Sequence, residues 1–291
     1  MKEGRQSRRL PSTQTGLEYS FNKESLSSRV REFEGVTLVT SLRQFAKKIV
    51  GPAFAPKVRL LLGAIDKNTF YDVLAYEVMK KCLGRRSVCV DVGCHKGSFL
   101  RWMMELAPEG TFYAFEPLPG FYEKLTVSFP FPQVKVFNLA LSNQTGVATF
   151  NHVISNPAYS GLHKRKYDHS NETDCTISVT TDLLDNIVEG KDHIDFIKID
   201  VEGAELQVLQ GAIRTISRCR PVVVFEHGVG GADCYGTRPE HVYDLLCGDC
   251  GLKISLLEGW LNGRRPLSKD GFREQFDQCL NYYFIAHPPS I

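Results

Sequence analysis

The sequence predicts an α/β fold: a seven-stranded, mostly parallel sheet with helices on both faces, behind an N-terminal helical extension. Three observations predict it. Beyond Arg86, short apolar runs alternate with helical segments, as strands buried on both faces do. The first of these runs enters a glycine-bearing turn directly. Several runs stop abruptly at a carboxylate, and the carboxyl ends of the strands are where the ligand crevice of an open parallel sheet lies.

Taken in order, residues 1–50 carry ten Lys or Arg against five Glu, a surplus of +5, so the remainder holds −3 of a formal total of +2. Residues 1–25 read as a disordered basic arm, and the rest is not a basic nucleic-acid platform. Leu26, Val30, Phe33, Leu42, Phe45 and Ile49 recur at helical intervals before Gly51 and Pro52. A second helix is expected from a cap at Asn68 or Thr69 to Cys82, stopped by Gly84, so residues 26–86 form the extension. Residues 87–291 are then the main domain. Its strands are expected at Val88–Val92, Thr111–Phe115, Val134–Leu139, Ile194–Ile199, Pro221–Phe225, Leu252–Leu256 and Tyr282–Ala286. Two further strand-like runs, Val147–Val153 and Cys175–Thr181, predict a hairpin-like insertion over about 147–181. Its connecting segment, Ser155–Asp174, is long enough to act on a substrate.

Composition narrows the classes. No apolar run approaches the roughly 20 residues that span a bilayer, and the polar start lacks a secretory h-region, so a soluble, cytoplasmic protein is expected. Nine scattered cysteines show no disulfide framework. Cys247 and Cys250 form a lone CxxC without the second ligand pair that structural zinc requires.

The chemistry begins at Val88-Cys-Val-Asp-Val-Gly-Cys-His-Lys-Gly97, a strand, a turn and the start of a helix over Ser98–Leu106. Gly93 and Gly97 let the backbone bend sharply and admit a ligand without a Cβ in the way. A dinucleotide fingerprint needs G-x-G-x-x-G, but His95 and Ser98 stand where its second and third glycines belong. Asp91 would also repel a diphosphate while attracting the cationic end of S-adenosylmethionine. Glu116 ends the next strand about twenty residues on, where a carboxylate accepts both ribose hydroxyls of an adenosine. The third strand leads into Asn138-Leu-Ala-Leu-Ser142, whose Asn138 and Ser142 are candidates to bond the base.

A second charged block, Asp195-Phe-Ile-Lys-Ile-Asp-Val-Glu-Gly-Ala-Glu205, brings Lys198, Asp200 and Glu202 to the same crevice. Lys198 and Asp200 fall on one side of the pleat and are expected to pair, which would keep the carboxylate oriented and ionised. The fifth strand ends in Glu226 and His227. Two routes to an activated hydroxyl acceptor are open. Either His227, Asp200 or Glu226 acts as general base, the preferred route, or Asp200, Glu202 and Glu226 hold a divalent cation. A nicotinamide-dependent oxidoreductase on the same sheet and a non-catalytic binding protein are the rival readings.

These motifs together resemble the FkbM family of S-adenosylmethionine-dependent methyltransferases, over roughly Ser87–His227. The matching words are Val90-Asp-Val-Gly with Gly97, Tyr113-Ala-Phe-Glu-Pro117, Asn138-Leu-Ala-Leu-Ser142, Thr181-Asp-Leu-Leu184 and, most specifically, Ile197-Lys-Ile-Asp-Val-Glu-Gly-Ala-Glu205 with Gly211. The resemblance implies a Rossmann-like class I methyltransferase fold, cofactor contact by Asp91, Gly93, Gly97 and Glu116, and a substrate-side role for Lys198, Asp200, Glu202 and Glu205. It also implies O-methylation of a sugar, lipid or small metabolite, without identifying the acceptor. Cys94-His95-Lys96 departs from the small or amide residues usual in the family, and Asp182 precedes Leu183 where the order is often reversed.

Overall fold

The computed structural model describes residue 63 and residues 65–167, 171–190 and 193–289. The expected basic arm and the helix over 26–50 lie outside them. Helix α1 (Lys67–Cys82) is capped by the Asp66 carboxylate, which accepts the Thr69 N–H at 2.7 Å and lies just ahead of the caps expected at Asn68 or Thr69. The capping oxygen must precede the first orphan N–H groups, and Asn68 and Thr69 already lie inside the helix.

The main sheet contains β1 (Val88–Val92), β2 (Thr111–Phe115), β3 (Val134–Phe137), β7 (Phe196–Ile199), β8 (Val222–Glu226), β9 (Lys253–Leu256) and β10 (Tyr283–His287). Their spatial order is β3-β2-β1-β7-β8-β10-β9, and β10 alone runs antiparallel to its neighbours. The order reverses between β1 and β7, so a crevice opens beyond their carboxyl ends. The third strand is shorter than expected. After Phe137 the chain leaves the main sheet, and β4 (Ala140–Leu141) joins β5 (Gly146–Val153) and β6 (Asp174–Asp182) in a second sheet of order β4-β6-β5. β5 and β6 pair antiparallel along their whole length, which is the expected hairpin-like insertion.

Alternation along the strands builds two cores. Val90, Val92, Ile197, Ile199, Val223 and Phe225 face one, Cys89, Phe112, Phe196, Val222 and Val224 the other. Helices α1 and α2 (Ser98–Leu106) cover the second core through Phe70, Leu74, Val78, Phe99, Leu100 and Met103. Two short helices follow β7, α3 (Glu205–Gln210) and α4 (Ile213–Cys219). Gly211 sits in the break, pressed so closely on the Ser142 carbonyl that a Cβ there would lie 2.0 Å from it. Buried Asp185 then caps α4 from outside, accepting the N–H groups of Arg214 at 3.0 Å and Thr215 at 2.7 Å.

Candidate active site

The cavity at the crevice is walled by the β1–α2 turn, the end of β2, the Leu139–Leu141 segment, β7 and the insertion. Gly93 and Gly97 both take positive φ, as the tight turn requires. Their missing side chains are required by packing: a Cβ on Gly93 would fall 1.9 Å from the Asp200 carbonyl, and one on Gly97 2.6 Å from the Phe129 ring. The turn thereby locks β1 onto β7. His95, the odd residue in the motif, also adopts positive φ, and its backbone N–H donates to Glu116 Oε2 at 2.8 Å. The Leu118 N–H binds Glu116 Oε1 at 3.0 Å, so the carboxylate is fixed at the cavity wall, its charge opposed by burial. Each oxygen keeps a lone pair free for a diol.

Two residues proposed for base contact lie elsewhere. Asn138 is exposed and clips the β2 turn, donating to the carbonyls of Glu116 and Pro117 at 3.0 Å. Ser142 is buried beside Gly211 and lines a neighbouring hollow. The cavity lining also contains the apolar side chains of Leu118, Leu139, Leu141 and Phe150.

Asp91, Lys198 and Asp200 all fall on the second-core side of the sheet, and the structure brings them together as a buried ion group. Lys198 Nζ lies 3.5 Å from Asp200 and 3.7 Å from Asp91, donates to the Gly93 carbonyl at 3.0 Å and sits over the Phe99 ring. Burial opposes its charge, but the two carboxylates outweigh burial and hold the ammonium above its ordinary pKa. Asp91 accepts no hydrogen bond of ordinary geometry, and burial pushes its pKa upward.

The acceptor side is more acidic than its cations can neutralise. Burial pushes Asp200 up, but Lys198 and the Tyr283 hydroxyl, which donates to Oδ2 at 2.7 Å, hold it ionised below the ordinary value. Burial and the Asp200 charge raise Glu202 to about 8 despite its ion pair with Arg165. The same two causes push Glu226 well above its ordinary value. One oxygen from each of Asp200, Glu202 and Glu226 lies within 4.8 Å of the others. Glu202 takes a left-handed backbone (φ 58°), and Glu205 restrains it by accepting the N–H groups of Val201 at 3.1 Å and Gly203 at 3.0 Å.

His227 does not join the cluster. It follows Phe225 on the first-core face, fully buried, stacked on Phe272 and Phe276 at 5.7 and 4.9 Å with neither ring nitrogen bonded. Burial lowers its pKa to about 4. The strand period of two already separates Glu226 from His227. Because the folded pKa lies below the unfolded one, near 6.5, His227 stabilises the neutral form, and that stability is lost as pH falls from about 6.5 through 4. His227→Phe should therefore narrow the gap between the melting temperatures at pH 7 and pH 4.5. An unchanged gap would place the acid sensitivity elsewhere.

Three site residues escaped the sequence reading. Tyr283 starts β10 opposite Glu226, a register invisible before the sheet is assembled. Asp72, raised to about 6 by burial and the Asp200 charge, reaches the cavity from α1, inside the predicted extension. Arg165 comes from the long connection of the insertion, where length was the one available signal.

The chemistry of this donor set fits S-adenosylmethionine: a fixed carboxylate for a diol, apolar side chains for a flat base, and the carboxylate of Asp200 for a sulfonium and an amine. The family profile described as "Methyltransferase FkbM domain" matches residues 91–252. Among curated proteins, 2-O-methyltransferase NoeI of Sinorhizobium fredii is 28% identical over 64% of this chain and 75% of its own length. Methyltransferase sdnD of Sordaria araneosa is 28% identical over 42% of this chain and 59% of its own. The crystal structure of methyltransferase FkbM from Methylobacillus flagellatus KT superposes with a TM-score of 0.44 and 16% identity, covering 70% of this chain and 44% of that one. With more than half of its residues inside the profile match, the chain belongs to the FkbM family of S-adenosylmethionine-dependent methyltransferases.

Proposed function

We propose that the chain is an O-methyltransferase acting on a hydroxyl of a sugar, lipid or small metabolite by a single in-line displacement. The observation that carries this reading is the ionised Asp200, held between Lys198 and Tyr283 and lining the same cavity as Glu116. The 2-O specificity in the name of NoeI agrees with it.

When bound, the cofactor supplies an electrophilic methyl group. Glu116 would hold its ribose, and Leu118, Leu139, Leu141 and Phe150 would enclose its base and exclude water. Asp91 and Asp200 supply negative potential for its cationic end. Asp200 accepts the acceptor proton. A weak base suffices, because the hydroxyl becomes acidic as its oxygen gains the methyl carbon. Tyr283 occupies one carboxylate oxygen, Lys198 keeps the group charged, and Glu226, pushed up by burial and the Asp200 charge, lies beside it. Positioning and dehydration account for the remaining rate gain.

A cation bridging Asp200, Glu202 and Glu226 is disfavoured because Lys198 and Arg165 already pair with two of the three. The test is labelled methyl transfer to a panel of hydroxylated glycans, lipids and metabolites, with and without chelator. We expect a methyl ether whose rate is indifferent to chelation. Transfer to nitrogen or carbon only would remove the O-methylation reading, and loss of activity on chelation would favour the cation.

A further inference from the structure

Beside the reaction cavity lie two polar hollows that no step above uses. Gln207, Gln210, Thr237 and His241 line one, Asn143, Thr149 and His163 the other, and Gln207 and Tyr235 belong to both. The two hollows adjoin at these shared residues, and together they are called the groove. Leu162 lines both the second hollow and the reaction cavity, so the groove adjoins that cavity at the insertion.

Two polar atoms of this groove's wall have no hydrogen-bond partner among the described residues: the Thr237 hydroxyl, on a residue 4% exposed, and the Gln207 side-chain oxygen. A buried polar atom left unbonded is destabilising, so each points to a partner arriving from outside. Other groups there are preorganised. Asn143 donates to Gln210 at 2.7 Å, and the rings of His163 and Tyr235 stack at 4.4 Å with 14° between their planes. The Tyr235 hydroxyl accepts the His163 N–H at 2.8 Å, which holds this flat platform where the groove meets the insertion.

Charge and polarity select the occupant. Among the described residues the lining contains no Lys or Arg, while Asp244 and Asp249 add acceptors, so a phosphorylated chain would find no counter-charge. Alternating amides, hydroxyls and an aromatic face suit a chain of neutral hydroxyls with apolar ring faces. We infer that this groove binds the distal residues of a neutral oligosaccharide whose terminal sugar reaches the reaction cavity. The reaction at that terminal sugar rests on the O-methylation reading, whereas binding in the groove does not.

The test titrates the full chain, saturated with S-adenosylhomocysteine, with maltotetraose, cellotetraose and mannotetraose and with their monosaccharides, by calorimetry. At least one tetrasaccharide should bind about 10-fold or more tightly than its monosaccharide, as one or two retained hydrogen bonds would give. Thr237→Val is isosteric and removes an oxygen without a partner, so it should weaken that binding about fivefold or more while the melting temperature holds or rises. Gln210→Ala provides an independent second probe with the same expected loss. Equal binding of every tetrasaccharide and its monosaccharide, or tight binding that survives both substitutions, would overturn the proposal. Tetrasaccharide binding without methyl ether formation would instead remove the O-methylation reading and leave the groove standing.

Discussion

Replacing Asp200 by Asn should lower methyl-transfer turnover by about 10²–10⁴-fold, the usual worth of a positioned general base, while the affinity for S-adenosylhomocysteine stays within a few-fold. The substitution conserves volume and leaves Lys198 its contacts with Asp91 and the Gly93 carbonyl, so folding is preserved. What disappears is the ionised acceptor that Tyr283 and Lys198 hold in place. The loss should fall on kcat and kcat/KM alike, as for an interaction made only in the transition state. Surviving turnover would reassign the base, with Glu202 next, since its pKa of about 8 leaves it partly ionised above neutrality.

Glu116→Ala has the opposite signature. The carboxylate is fixed by two backbone N–H groups, so its remaining lone pairs are preorganised for the ribose hydroxyls. A hydrogen bond to a charged group contributes about 1.5–3 kcal/mol, so cofactor affinity by calorimetry should fall roughly 10–100-fold. Turnover at saturating cofactor should change little, because the reacting atoms keep their surroundings. The His95 and Leu118 N–H groups lose their acceptor as well, and some fall in melting temperature is expected. A lower melting temperature with unchanged affinity would make Glu116 a turn clasp only.

Much of the site was legible before the fold was built. Lys198 and Asp200 fall on one side of the pleat by alternation, and the structure pairs them at 3.5 Å. The same rule, applied one residue further, separates His227 from Glu226. The glycines marked the turn correctly, but the bodies filling the space beside them, the Asp200 carbonyl and the Phe129 ring, lie in elements about 107 and 32 residues away. Asn138 carried the right chemistry for a base contact, yet its amide is used to clasp the preceding turn.

The sequence by itself determined the seven strands of the main sheet, that several of them stop at a carboxylate, and that their carboxyl ends form one crevice, because strand period and burial are local properties of the chain. Only the tertiary structure decided that Asp72 from α1, Arg165 from the insertion and Tyr283 from the antiparallel β10 complete that crevice. It also decided which carboxyl groups are pushed up and which are held down. Desolvation and neighbouring charge act through space, and no spacing along the chain records how close Glu226 comes to Asp200.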